Sequence, residues 1–193
     1  MKKVGILLGS FDPIHIGHIA MITEVLNKKL VDKVLIVPTR QNPWKPKSTD
    51  FDIRCKMIES IIIQNFDNSV CLSYIEETLE PPFYTYKTLQ ALKARYKDSE
   101  LYLIGGSDTI NSLYFWDHAD WILSNIKLIG VIRNNVPFSI PVEHQVKLTL
   151  DISSFDIREM VKENKIVYPY ITKNTYNLIK FYNLYGKELE LHD

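Results

Sequence analysis

The chain has two cysteines in 193 residues, Cys55 and Cys71. That is too few for a disulfide-stapled secreted scaffold, and they lack the paired spacing of a zinc site. A reduced, intracellular setting follows. There is no excess charge either, since Lys and Arg number 23 and Asp and Glu number 23. Balanced charge supplies no overall field to draw in nucleic acid or an anionic membrane, so any anion site has to be built locally. No apolar run approaches the length of a membrane span. Lys2 and Lys3 precede an apolar run as in a secretory leader, but that run is only Val4 to Leu8 and a charged turn ends it. The expectation is a cytoplasmic protein. Also missing are a G-x-G-x-x-G after the first apolar run, a Walker A sequence and an evident nucleophile–base pair. These absences argue against nicotinamide-dependent hydride transfer, P-loop chemistry and covalent catalysis. Repeats, low-complexity tracts and linkers are absent as well, and the length suits a single domain over residues 1–193 with a real core.

What is present centres on Gly9-Ser10-Phe11-Asp12-Pro13-Ile14-His15-Ile16-Gly17-His18. The apolar run Val4 to Leu8 stopped by Gly9 reads as a buried strand, and Asp12-Pro13 reads as a turn. From Ile16 the pattern becomes helical, with Ile19, Ile22, Leu26 and Leu30 on one stripe. A strand, turn and helix in that order point unpaired backbone N–H groups and a positive helix end at whatever lies above the strand. His15 and His18, three residues apart, face the same way there and can donate hydrogen bonds to phosphate oxygens. Gly9 and Gly17 permit close backbone approach. A phosphate site is the direct reading, against the plainer one of two polar residues at a helix start.

Further along, Val34 to Val37 reads as a second buried strand, and Thr39 to Ser48 as a loop holding Pro43, Trp44, Lys45 and Pro46. Beyond a strand's carboxyl end, Lys45 can reach a phosphate and Trp44 can cover a ring, or both can be incidental surface residues. Thr49 with Asp52 has the form of a capping box for a helix carrying Ile53, Met57 and Ile61, and Arg54 lies one position off that stripe, towards the loop. Val70 to Leu72 is a short third strand, Glu76 to Pro82 a connector, and Tyr84 onward a helix with Leu89, Leu92 and Tyr96 inward. Leu101 to Ile104 is the next strand, followed by Gly105-Gly106-Ser107-Asp108 and a helical run with Leu113 and Trp116. Asp108 suits either a ribose hydroxyl or a helix cap.

Lys127 to Ile132 is a fifth strand ended by Arg133, Pro137 to Gln145 a loop, and Val146 to Leu150 one more strand. Ile152-Ser153-Ser154-Phe155-Asp156-Ile157-Arg158 starts a capped helix, with Ser153 as cap and Asp156 completing the box. Arg158 just inside it offers a guanidinium fork to a polyphosphate. Pro169 suits the first turn of a last helix, on which Tyr176, Ile179, Tyr182 and Tyr185 form a packing stripe. Strands alternating with helices imply an α/β fold, a Rossmann-like doubly wound parallel sheet, with added C-terminal helices over about 152–193. Its site of helix ends, histidines and cations suits chemistry at a phosphorus atom, with Mg²⁺ carried in on ATP.

The Gly9 to His18 segment resembles the H-x-G-H signature of the nucleotidyltransferase superfamily, in the form found in bacterial nicotinate-nucleotide adenylyltransferases. The likeness spans nearly the whole chain. Asn42-Pro43-Trp44-Lys45 resembles the family's P-P-H-K, Arg54 and Met57 its R-x-x-M, and Thr85 to Leu89 its T-x-x-T-L. Gly106, Asp108, Leu113 and Trp116 resemble its G-x-D-x-x-x-x-L-x-x-W, and Ile152 to Arg158 its I-S-S-T-x-I-R. The resemblance implies adenylyl transfer from ATP to nicotinate mononucleotide in NAD biosynthesis. It places His15, His18, Lys45 and Arg158 in catalysis and Gly9, Ser10, Phe11, Gly17, Gly106, Asp108, Ile152, Ser153 and Ser154 at ATP. It places Thr85, Trp116, Arg133 and Trp44 at the pyridine mononucleotide.

Three positions depart from the pattern: Trp44 replaces the usual His, Phe155 the usual Thr, and Lys87 stands where an acid is frequent. Nicotinamide mononucleotide or phosphopantetheine as acceptor, or a regulatory module that binds nucleotide without turnover, are the alternatives. No nucleic acid, membrane or resident metal is expected as a partner, and assembly into a homo-oligomer stays open.

Overall fold

The computed structural model describes residues 1–41, 48–132 and 136–186. Six strands, β1 (Lys2–Gly9), β2 (Lys33–Pro38), β3 (Val70–Leu72), β4 (Ser99–Gly106), β5 (Lys127–Ile132) and β6 (His144–Lys147), form one sheet. Its order is β3-β2-β1-β4-β5-β6 and every pairing is parallel. Among the described residues seven α-helices accompany them: α1 (Ile16–Asn27), α2 (Phe51–Asn65), α3 (Thr85–Arg95), α4 (Ser107–Ser112), α5 (Ala119–Asn125), α6 (Ser154–Lys162) and α7 (Lys173–Phe181).

The strands read as continuous apolar runs because both faces of the sheet are covered. Along β2, Val34 and Ile36 join one core cluster while Leu35 and Val37 join the other, as the two-residue strand period requires. The first cluster takes Met21, Ile22 and Val25 of α1, Met57, Ile58 and Ile61 of α2, Ile157 of α6 and Ile179 of α7. The second takes Leu89 and Leu92 of α3, Ile110 of α4 and Ile122 of α5. The doubly wound Rossmann-like arrangement expected from the sequence is therefore present.

Several local expectations need correction. The inward stripe of α1 is centred on Met21, Ile22 and Val25, with Ile19 and Leu26 only partly buried at its flank. Asp50, not Thr49, caps α2, accepting the N–H groups of Asp52 and Ile53. Gly105 and Gly106 belong to β4 rather than to the turn after it. The last strand sits at His144–Lys147, so it starts inside the expected loop and ends before Leu148. Pro169 lies ahead of α7, whose cap is Thr172.

This topology decides where a ligand can sit. From β1 the chain passes to β2 on one side, and from β4 it passes to β5 on the other. At such a switch point the connections diverge and leave a crevice beyond the carboxyl ends of the strands. β1 and β4 are neighbours, with Leu7 opposite Ile104, so Gly9 and Gly106 open onto the same crevice.

Candidate active site

At the end of β1 the chain turns through Phe11, whose φ of 50° is a left-handed conformation uncommon for a non-glycine residue. Its buried ring meets the His18 imidazole edge-on, with centroids 5.0 Å apart. His15 then caps α1: its Nδ1 accepts the Gly17 N–H at 3.1 Å, and His18 Nδ1 accepts the His15 N–H at 3.2 Å. This is a capping box made of imidazoles. Only an unprotonated ring nitrogen can accept an N–H, so in this arrangement each neutral ring carries its proton on Nε2. The rings lie 3.8 Å apart between centroids, on the same side of the helix start. A Cβ on Gly17 would come within 2.9 Å of the His15 ring. The close approach that Gly17 permits is therefore that of His15. At Gly9 a Cβ would only touch the Phe11 ring at 3.4 Å.

A second helix start converges on the same turn. Ser153 and Asp156 form the expected capping box of α6. The Ser153 hydroxyl donates to Asp156, and the Ser153 hydrogen bonds hold the Asp156 carboxyl below its ordinary range. Ser154 Oγ donates to the Pro13 carbonyl at 2.8 Å and Arg158 Nη1 to the Asp12 carbonyl at 2.7 Å. Both serine protons are thus committed inside the chain. What α6 offers an anion is its first-turn amides, the dipole behind them and the rest of the Arg158 guanidinium. Ile152, just before the cap, is buried in the core cluster that contains Phe11 and Ile14.

Beneath the turn lies Arg54, 1% exposed. Its guanidinium donates to the carbonyls of Ser10 at 2.6 Å, Thr49 at 2.8 Å and Arg40 at 3.1 Å. Burial lowers its pKa, with Asp12 the leading charge that opposes the shift. Glu76, also 1% exposed, accepts the Arg40 N–H at 2.6 Å and the Thr88 hydroxyl at 2.8 Å, and burial pushes its carboxyl upward. This buried pair ties α2, α3 and the end of β2 to the floor of the crevice.

On the β4 side, Gly106 is the cap position of α4 and makes no side-chain cap bond, so Asp108 is not the cap. Asp108 lies in the first turn, exposed towards the crevice end of β4, and a carboxylate there complements the helix dipole. Thr85 opens α3, and Trp116, half-buried, donates its indole N–H to Ser112 at 3.2 Å. The segments carrying these two residues meet through Tyr86 and His118, whose rings lie 4.1 Å apart. Trp44, Lys45 and Arg133 lie outside the described residues. The structure thus gathers His15, His18, Ser153, Ser154 and Arg158 about one turn, while Asp108 and Trp116 follow β4 and Thr85 opens α3. Among the described residues no three of His, Cys, Asp and Glu group as metal ligands, and no helix is long and apolar enough to cross a membrane.

The Cytidylyltransferase-like family model matches residues 6–160. Nicotinate-nucleotide adenylyltransferase from Bacillus subtilis is 36% identical over 169 residues, covering 86% of this chain and 88% of its own length. The chain belongs to the nicotinate-nucleotide adenylyltransferase family. A probable member from Clostridium tetani is 32% identical over 201 residues, covering 96% of this chain and all of the relative. A solved structure of Plasmodium falciparum nicotinic acid mononucleotide adenylyltransferase complexed with NaAD superposes with a TM-score of 0.85 at 25% identity, over 98% of this chain and 100% of that one.

Two residues at the site carry roles that motif reading did not assign. Asp12 accepts Thr49 N–H at 3.1 Å through Oδ2 and the Tyr185 hydroxyl at 2.6 Å through Oδ1. The sequence places Glu76 in a connector, whereas it lies in a 3₁₀ turn, Ile75–Thr78. An acid in a polar connector gives no sign of burial. The second Thr of the T-x-x-T-L element, Thr88, was the available hint, since a buried hydroxyl requires a partner.

Proposed function

We propose that this protein transfers the adenylyl group of ATP to nicotinate mononucleotide, giving nicotinate adenine dinucleotide and pyrophosphate, as a cytoplasmic enzyme of NAD biosynthesis. The observation that carries the reading is the imidazole capping box at the carboxyl end of β1, in a chain of this family. A phosphate oxygen of the mononucleotide attacks the α-phosphorus in line, the bond from that phosphorus to the bridging oxygen breaks, and pyrophosphate leaves with the electron pair. No covalent enzyme intermediate is involved. Charge grows on the α- and β-phosphate oxygens, and donors fixed in advance stabilise it. His15 and His18 supply Nε2–H donors there, already oriented by their own backbone bonds. The α6 amides at Ser153 and Ser154, with Arg158 and Lys45, hold the polyphosphate. Gly9, Ser10, Phe11, Gly17 and Ile152 shape the ATP side, and Gly106 and Asp108 receive the adenosine ribose. Thr85, Trp116, Trp44 and Arg133 shape the pyridine side. Mg²⁺ enters as part of the MgATP substrate and neutralises the leaving pyrophosphate. The family name of the relatives and the NaAD held by the Plasmodium falciparum protein favour nicotinate over the other acceptors.

Mass analysis of the product tests this. With ATP, Mg²⁺ and nicotinate mononucleotide, the dinucleotide and pyrophosphate are expected in equal amounts. Tight ATP binding with neither product would mean a regulatory module instead. His18→Ala, folded and binding ATP, is expected to lose about 10²- to 10³-fold in turnover, the range for deleting one oriented donor.

A further inference from the structure

The C-terminal third of the chain grips the turn between β1 and α1 at four points. Arg158 holds the Asp12 carbonyl, Ser154 the Pro13 carbonyl, and the Tyr170 carbonyl accepts the Ile16 N–H at 2.9 Å. The fourth grip is of another kind, because it is a side chain on a side chain. Tyr185 Oη donates to Asp12 Oδ1 at 2.6 Å across 173 positions of sequence. Asp12 is 7% exposed, three residues before His15 and one after Phe11, whose ring abuts His18. The backbone that delivers Tyr185 is costly, since Tyr185 adopts a positive φ of 59°. Bulky residues keep that conformation only where surrounding contacts over-determine it. Here Leu184 and Tyr185 pack on the core cluster that contains Phe11 and Ile14. Burial and the Asp12 carboxylate raise the Tyr185 pKa, so the hydroxyl stays a donor.

We infer that Tyr185 is a positioning residue for the reaction proposed above: its hydroxyl fixes the Asp12 carboxylate, and through it the turn that sets the His15 and His18 rings. The effect reaches the chemistry rather than ATP affinity, because the remaining grips by Arg158, Ser154 and Tyr170 keep the turn in place. Groups that orient metal ligands from outside contribute about 10- to 100-fold, and the same scale is expected for a group that orients a catalytic turn. This inference rests on the adenylyl-transfer reading, and its test separates the two.

Tyr185→Phe removes one oxygen and keeps the ring. The expected result is a 10- to 100-fold fall in kcat with KM for ATP within about threefold. In an Asp12→Ala background, the same change is expected to have no further effect, since the acceptor through which it acts is gone. A kcat within twofold of wild type, or an undiminished loss on top of Asp12→Ala, overturns the proposal. Nitrogen-15 shifts of the His15 and His18 rings provide a readout without turnover. They are expected to move in Tyr185→Phe, and unmoved shifts overturn the proposal even if the wild type makes no dinucleotide. Should Tyr185→Phe fail to fold, 3-fluorotyrosine at position 185 replaces it, keeping hydroxyl and packing but acidifying the phenol. Asp12, Thr49 and Arg158 are the groups acting on that phenol. The strengthened donor to Asp12 is expected to move the nitrogen-15 shifts of the His15 and His18 rings, and unmoved shifts overturn the proposal.

Discussion

His18 accepts the backbone N–H of His15 through Nδ1, while His15 accepts that of Gly17, so each ring proposed to meet a phosphate is also a structural cap. Cap and chemistry can be separated by substitution. Asn is among the best cap residues, and its side-chain oxygen can replace His15 Nδ1 but not Nε2–H. His15→Asn is expected to be about 1 kcal/mol more stable than His15→Ala in urea unfolding. Both variants should lose turnover to the same extent, about 10²- to 10³-fold. If His15→Asn turned over like wild type, the donor role of this ring would be wrong.

Arg54 supports three carbonyls that no neighbouring donor replaces in kind. Arg54→Met keeps the bulk and leaves the Ser10, Thr49 and Arg40 carbonyls without the guanidinium. The expected loss is about 1–3 kcal/mol, the range for leaving a hydrogen-bonding group unpaired. Urea unfolding measures it, and a loss below about 1 kcal/mol would mean that water replaces the guanidinium.

Glu76 gives a prediction with a sign. Its folded pKa is raised by burial. Its stabilising contribution is therefore whole at pH below the ordinary carboxylate range, and it declines as pH rises through the folded value. Glu76→Gln cannot ionise, and its single carbonyl oxygen leaves either Arg40 N–H or the Thr88 hydroxyl poorly served, at about 1–3 kcal/mol. The variant's deficit is expected to be larger at pH 4 than at pH 7. A deficit that grows with pH would contradict the direction of the shift.

The two cysteines should differ in reactivity. Burial pushes the Cys55 thiol up to about 12, leaving a thiolate fraction near ~10⁻⁴ at pH 8. Cys71 is half-buried at the sheet edge. A thiol reagent at pH 8 is expected to titrate one group in the native protein and a second only on unfolding. Equal rates at both would contradict the burial of Cys55.

What could be read in the sequence was what is local. The β1 and β2 runs, the helical shift at Ile16 and the Ser153–Asp156 box are each specified within a few residues, and they appear as expected. The α2 cap was misplaced by one position because Thr49 and Asp50 both suit it; Thr49 is instead drawn to Asp12. The spacing points Arg54 towards the loop, but its burial is not legible there, because its three acceptors are backbone carbonyls that carry no side-chain signature. Tyr185 read as packing, which is true of its ring. Its hydroxyl finds its partner only once the sheet has brought the two ends of the chain together.

The proposed transfer of AMP to a pyridine mononucleotide at the imidazole-capped turn is tested most directly by the initial rate of pyrophosphate release with ATP and Mg²⁺, comparing nicotinate mononucleotide, nicotinamide mononucleotide and 4′-phosphopantetheine under identical conditions. The highest kcat/KM is expected with nicotinate mononucleotide. No release with any of the three, from protein that still binds ATP, would contradict it.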